Sequence, residues 1–158
     1  MNDPPPAEIL RRLRPIPTYR DHPATSPSDI EGVTPAGETV RVALVDAPDP
    51  VLLLFLSSSC QGCRDLWEGT VALRRSLPEG VRVVLVTKDP ELEDVRAVAA
   101  LDPADTLTVM SSQAFRDYRV AGPPFLAVVA SGVVRTEGVA WGIGETLRAT
   151  RHALGADA

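Results

Sequence analysis

Two cysteines, Cys60 and Cys63, form the part of the sequence whose residue types and spacing indicate chemistry. They are the only cysteines of the chain, and Gln61 and Gly62 separate them. A thiolate attacks disulfides, and a second thiol one helical turn away can attack the resulting mixed disulfide and release the partner. Cys60 and Cys63 are therefore candidate catalytic residues. Gln61 and Gly62 are candidate substrate-binding residues, because Gly62 leaves room at the rim for a partner chain.

The cysteine pair falls where an apolar segment ends and a helical pattern begins. Residues 51–56 are a continuous apolar run, which favours a strand covered on both faces. Apolar residues with helical spacing follow over 61–76, and Pro78 and Gly80 end that pattern. Cys60 is thus predicted at a helix N-terminus, where free N–H groups and the helix dipole lower the pKa of a thiol.

Two other interpretations of the cysteine pair remain. A tetrahedral zinc site needs four ligands, and the chain offers only His22, in the N-terminal segment, and His152, near the C-terminus. We therefore expect no metal site unless a dimer supplies four sulfurs. The other interpretation is a pair of core thiols, or a vestigial motif, without turnover.

The elements that must position the pair alternate between strands and helices. The pattern predicts hairpins over 29–33 with 38–45 and over 125–130 with 133–139, strands over 81–86 and 106–110, and helices over 90–101, 113–118 and 143–154. This order predicts an α/β three-layer α/β/α sandwich with a central mixed sheet and an N-terminal hairpin extension. Its central strands are expected to be parallel, and the last hairpin is expected to add antiparallel edges.

Composition and length set limits on the class of protein. The chain has 158 residues, of which 44% are hydrophobic and 23% charged, values typical of a globular domain. Seven prolines fall within residues 1–27, which we interpret as a partly disordered N-terminal arm before a domain over 28–158. The net charge of −5 disfavours a nucleic-acid partner.

Location is inferred from the apolar segments. The longest apolar run has about six residues, and a membrane helix needs about 20, so no membrane span is predicted. The N-terminal residues lack the apolar core of a secretory signal. We therefore expect a cytoplasmic protein, although a chain trimmed of an export signal or anchor would have the same sequence.

Two motifs in this order resemble the thioredoxin superfamily. The first is the predicted strand–CQGC–helix unit at 60–63, and the second is YRVAGPPF at 118–125, which is similar to the family's segment before a cis proline. The hairpin before the active strand is similar to that of TlpA/ResA-like and MauD-like thiol–disulfide oxidoreductases. The resemblance covers residues 28–154.

The resemblance implies a thioredoxin-like fold and a thiol–disulfide oxidoreductase. It implies that Pro124 is cis and faces the cysteines, which makes Pro123 and Pro124 candidate substrate-binding residues. No cofactor is implied, because the cysteines store the electrons. The implied partners are a protein or low-molecular-weight disulfide or dithiol, and an upstream thiol reductant or oxidant.

The sequence also departs from the family pattern. Ser59 stands where the family commonly has Trp, and Leu54 where thioredoxins have a buried acid. Gln61-Gly62 matches neither the Gly-Pro of reductants nor the Pro-His of oxidants. The direction of electron flow stays open. The alternative hypothesis is a non-catalytic thioredoxin-like binding module that docks a partner in the cis-proline groove.

Overall fold

A mixed sheet with helices on both faces forms the centre of the molecule. The computed structural model describes residues 19–156. Within them the strands are β1 (Tyr19–Thr25), β2 (Ile30–Val33), β3 (Thr39–Val42), β4 (Val51–Phe55), β5 (Arg82–Thr87), β6 (Leu107–Met110), β7 (Phe125–Ala130) and β8 (Val133–Val139). The α-helices are α1 (Arg64–Ser76), α2 (Val95–Leu101), α3 (Ser112–Asp117) and α4 (Ile143–Ala153). These elements confirm the predicted α/β sandwich.

Strand β4 lies in the middle of the sheet and is buried on both faces. It pairs in parallel with β5 and antiparallel with β7. Side chains alternate along a strand, so the two faces of β4 pack against different helices. Leu52 and Leu54 pack with α1 and α4, whereas Leu53 and Phe55 pack towards α3. On that side the Phe55 ring contacts the Phe115 ring edge-on, with 5.2 Å between the ring centres. Each such buried side chain contributes about 1.5–3 kcal/mol, so the end of β4 is held firmly.

The edges of the sheet differ from the prediction. The strand order is β1-β8-β7-β4-β5-β6-β2-β3. The β2–β3 hairpin lies at a margin, as predicted, but β8 is not an edge strand, because Tyr19–Thr25 pairs antiparallel with it. An uncovered β8 would present a row of unpaired backbone groups, which β1 satisfies. Residues 1–18 of the predicted arm lie outside the described residues.

Helix α2 begins five residues later than predicted. Pro90 was expected to open the helix, but the helix begins at Val95. Asp94 caps it, since its side chain accepts hydrogen bonds from the backbone N–H groups of Arg96 (3.0 Å) and Ala97 (3.2 Å), a role that Asp performs well. The preceding residues form a turn instead, in which Glu93 N–H donates to the Asp89 carbonyl at 3.1 Å.

Tyr118 ties the N-terminal hairpin to the segment that leads to the two prolines. Its hydroxyl donates to the Ser28 carbonyl at 2.6 Å and accepts from the Ser28 N–H at 3.2 Å. Its ring lies 5.6 Å from that of Phe55. This contact anchors the start of the segment at 118–125 against the core.

No helix among residues 19–156 combines the length and apolar character needed to cross a bilayer.

Asp29 closes the base of the β2–β3 hairpin. Its Oδ1 accepts hydrogen bonds from the Leu44 and Val45 N–H groups at 2.7 and 3.0 Å, and its Oδ2 accepts one from Arg41 at 3.0 Å. These hydrogen bonds lower the pKa of Asp29 from its usual 3.8 to about 2, and the bond from the Leu44 N–H has the largest effect. The carboxylate therefore stabilises the fold above the unfolded-state pKa, and this stabilisation is lost as the pH falls through about 2.

We expect Asp29→Asn to lower the free energy of unfolding at pH 6 by about 1 kcal/mol, because a neutral amide is a weaker acceptor and the site is partly exposed. The difference from the parent chain should shrink below pH 4 and be largely lost by pH 2. Urea unfolding at pH 6, 4, 3 and 2 measures this. The exposed Asp46→Asn is the matched control and should follow the parent; a difference for Asp29→Asn that does not change with pH would contradict the assignment.

Candidate active site

The two cysteines lie just beyond the C-terminal end of β4, as predicted. Gln61–Cys63 forms a single 3-10 turn, and the α-helix proper begins at Arg64. The Cys63 N–H donates to the Cys60 carbonyl at 3.2 Å, which closes this turn. Cys60 itself is extended, and its thiol is half-buried, whereas Cys63 is fully buried. One sulfur can therefore meet a partner, and the other is held beneath it.

The environment of Cys63 favours its neutral thiol. Burial raises the pKa of Cys63 well above its usual range, and its hydrogen bond with the Cys60 side chain adds to this shift. The charges of Cys60 and Glu93 raise the pKa further, while a hydrogen bond with the Ser57 backbone acts in the opposite direction. The buried Cys63 sulfur therefore holds its proton, and the accessible Cys60 sulfur is the one that a partner can reach.

Pro123 and Pro124 lie against the cysteines and are joined by a cis peptide bond, as the resemblance implied. The Pro123 carbonyl is 3.8 Å from the Cys60 sulfur. A Cβ placed on Gly62 would lie 3.6 Å from the Pro124 ring and 3.9 Å from that sulfur. Gly62, Pro123 and Pro124 are thus brought together around Cys60, and the Gln61 side chain is exposed at the start of the turn. Their contact with a substrate stays a prediction.

Trp67 supports the loop that carries Cys60 from the helix side. It is buried, and its indole N–H donates to the Ser57 carbonyl at 3.1 Å. Ser59, at the position where the family commonly has Trp, is exposed, and its N–H donates to the Ser57 hydroxyl at 3.2 Å. The loop is therefore fixed by hydrogen bonds to its own serines and to α1.

Glu93 is the site residue that sequence reasoning missed. Its Oε2 accepts a hydrogen bond from the Ser58 hydroxyl at 2.7 Å and one from the Ser58 N–H at 3.3 Å. The family pattern predicts an acid within β4, where this chain has the fully buried Leu54. The acid comes instead from the turn after β5. The carboxyl ends of parallel strands meet at one edge of a sheet, so the acids that follow β5 could have been considered together with the residues that follow β4.

Arg64 and Trp141 have ordinary surroundings. Arg64 is exposed and pairs with Glu68 at 3.1 Å, one turn along α1. Trp141 is 64% exposed. Among residues 19–156, no group of three or more His, Cys, Asp or Glu side chains is arranged to hold a metal ion.

Comparisons with known proteins connect this geometry to a fold. No family model and no curated protein matches the sequence. A thioredoxin-family thiol:disulfide interchange protein from Chlorobium tepidum superposes with a TM-score of 0.67 at 19% identity, covering 86% of this chain and 100% of that one. A second protein of that organism, described as a putative thiol:disulfide interchange protein DsbE, gives 0.65 at 23% identity, covering 87% and 99%.

A secreted disulfide oxidoreductase from Mycobacterium tuberculosis gives a TM-score of 0.63 at 14% identity, covering 80% of this chain and 95% of that one. These similar structures are all named for thiol–disulfide exchange, and each is matched over almost its whole length. The described chain has the thioredoxin fold that its sequence resemblance implies, with a Cys-x-x-Cys pair at positions 60 and 63.

Proposed function

We propose that this protein is a thiol–disulfide oxidoreductase whose redox pair is Cys60 and Cys63. The observation that carries the proposal is the asymmetry of the pair: a half-buried Cys60 sulfur lies beside Pro123 and Pro124, with the buried Cys63 thiol hydrogen-bonded to it. An accessible nucleophile with a protonated thiol behind it is the arrangement that two-step disulfide exchange needs.

The reaction balances without a cofactor. The Cys60 thiolate attacks one sulfur of the partner disulfide, that S–S bond breaks, and the other partner sulfur leaves as a thiolate. Cys63 then gives up its proton and attacks the Cys60 sulfur, which breaks the mixed disulfide and releases the second partner thiol. Two electrons pass from the cysteine pair to the partner. In reverse, the same steps oxidise a partner dithiol, and an upstream thiol reductant or oxidant restores the pair.

Gln61, Gly62, Pro123 and Pro124 would hold the partner chain while its sulfur meets Cys60. This assignment is supported by the position of Gly62, where an added Cβ would lie 3.6 Å from the Pro124 ring, and by the Pro123 carbonyl beside the sulfur. We further propose that residues 28–158 are the functional domain and that 1–27 form an arm, whose segment Tyr19–Thr25 adds an edge strand to the sheet of that domain. The cytoplasmic location stays a prediction, and two of the similar proteins are described as secreted and as an exposed lipoprotein.

We expect Cys60→Ser to abolish reduction of insulin disulfides by dithiothreitol, because the nucleophile is gone. Cys63→Ser should instead accumulate a mixed disulfide, visible by intact mass as an adduct that excess dithiothreitol removes. Circular dichroism of both variants checks that the fold is kept. Unchanged turnover in Cys60→Ser contradicts the proposal. A parent chain that binds partners equally in both redox states without turnover would favour the binding module instead.

Gly62→Ala tests whether a partner approaches over the 3-10 turn. The added methyl would make ordinary contacts, 3.6 Å from the Pro124 ring and 3.9 Å from the Cys60 sulfur. We therefore expect an unchanged melting temperature and a fall in kcat/KM for insulin of about fivefold, or about 1 kcal/mol of barrier. Gly144→Ala, in the first turn of α4, is the matched control. Equal kcat/KM values for the two variants would remove Gly62 from the contact surface.

The charge of Glu93 raises the pKa of Cys63. We expect Glu93→Gln to lower the pKa of Cys63, because a nearby negative charge disfavours a thiolate. The ¹³Cβ shift of labelled Cys63, followed by NMR up to the highest pH at which the fold is kept, should begin to change at lower pH in the variant than in the parent chain. Glu91→Gln, exposed in the same turn, is the matched control. An identical titration for the parent chain and Glu93→Gln would show that this charge does not act on Cys63.

A further inference from the structure

A cavity of about 390 Å³ opens directly beside Cys60. Its walls combine the reactive sulfur, two side chains of opposite charge and apolar surface, contributed by Cys60, Lys88, Glu93, Leu92, Phe115 and Pro123. The volume is at the lower end of the range for small-molecule sites, about 300–1,000 Å³. It suits a ligand the size of an amino acid or short peptide, next to the sulfur that reacts.

The positive wall of the cavity is Lys88, the only lysine in the sequence. Its ammonium lies 5.6 Å from the centre of the Phe115 ring, which contributes a cation–π contact. None of the ion pairs found among the described residues involves Lys88. The ammonium is therefore held over an apolar wall with no ion pair to a carboxylate among residues 25–156, and it can pair with a carboxylate that enters the cavity.

The negative wall is Glu93. Both of its hydrogen bonds with Ser58 use Oε2, which leaves Oε1 for a ligand. The carboxylate is half-buried, and its bond to Ser58 fixes it relative to the loop that carries Cys60. One cation and one carboxylate beside the same sulfur match a ligand that carries both a carboxylate and an ammonium group.

We propose that this cavity binds the disulfide of a low-molecular-weight amino-acid thiol. Lys88 would receive its carboxylate, Glu93 its ammonium group, and Cys60 its sulfur. This inference rests on the proposed function and names its substrate class. The Cys60 thiolate attacks one sulfur of R–S–S–R and displaces RS⁻. Cys63 then loses its proton and displaces the second RS⁻ from Cys60, so that the pair is oxidised and the disulfide is reduced to two RSH.

A charge-matched series of four small disulfides tests the proposal. Cystine carries both charges, cystamine only the ammonium, 3,3′-dithiodipropionate only the carboxylate, and bis(2-hydroxyethyl) disulfide neither. The rate of oxidation of the reduced protein by each disulfide is measured by stopped-flow tryptophan fluorescence or by thiol trapping. The ratio of each variant's rate to the parent's is compared, because this ratio cancels the intrinsic reactivity of each disulfide.

Lys88→Met should slow the reactions of cystine and dithiodipropionate about tenfold, equivalent to about 1.4 kcal/mol. The rates for cystamine and the neutral disulfide should stay within about twofold of those of the parent chain. Lys88→Arg should restore most of the rate, because it keeps the cation. Arg96→Met, which removes an exposed cation outside the cavity, is the matched control and should change none of the four rates.

Two results would overturn the proposal and leave the proposed function in place. One is an equal effect of Lys88→Met on all four disulfides, or no effect on any. The other is a parent chain that reduces insulin rapidly but reacts with cystine no faster than with the neutral disulfide, after correction for intrinsic reactivity. This result would assign the site to polypeptides. If no disulfide, the neutral one included, oxidises Cys60, the proposed function itself fails.

Discussion

The complete burial of β4 is the constraint on which the site depends. Strand β4 is paired with a neighbouring strand on both sides and packed on both faces, so it can adopt only one register and one direction. Its C-terminal end therefore fixes where the backbone turns, and the first residues after the turn carry the thiols. A reactive sulfur needs a rigid support so that its partners meet it at a constant distance, and an interior strand provides that support better than a loop.

Much of this architecture was readable from residue patterns. The apolar run at 51–56 and the helical spacing that follows placed Cys60 at a strand–helix junction, because periodicity reports which faces are buried. The hairpins and α4 were predicted for the same reason. The motif at 118–125 brought Pro124 to the cysteines only through the family resemblance, since nothing local in that segment specifies which distant residues it contacts.

The errors have two physical causes: one local signal outweighed another at the start of α2, and contacts between segments distant in sequence decided the other two. Pro90 is a good first residue of a helix, but Asp94 caps two backbone groups and the helix begins there. Residues 19–25 carry weak strand signals, yet the open side of β8 gives them hydrogen-bond partners. Glu93 was missed because an acid on a turn has no signature of its own. Its role depends on which strand ends lie side by side.

The single lysine has a practical consequence for following this site. Amine-reactive reagents can modify the chain at only one side chain, Lys88, besides the α-amino group, and that side chain lines the cavity at Cys60. A fluorophore or an isotopic methyl group attached there would report on the immediate surroundings of the reactive sulfur. The chain thus supplies a selective attachment point for a spectroscopic label beside its proposed redox centre, with no engineered residue required.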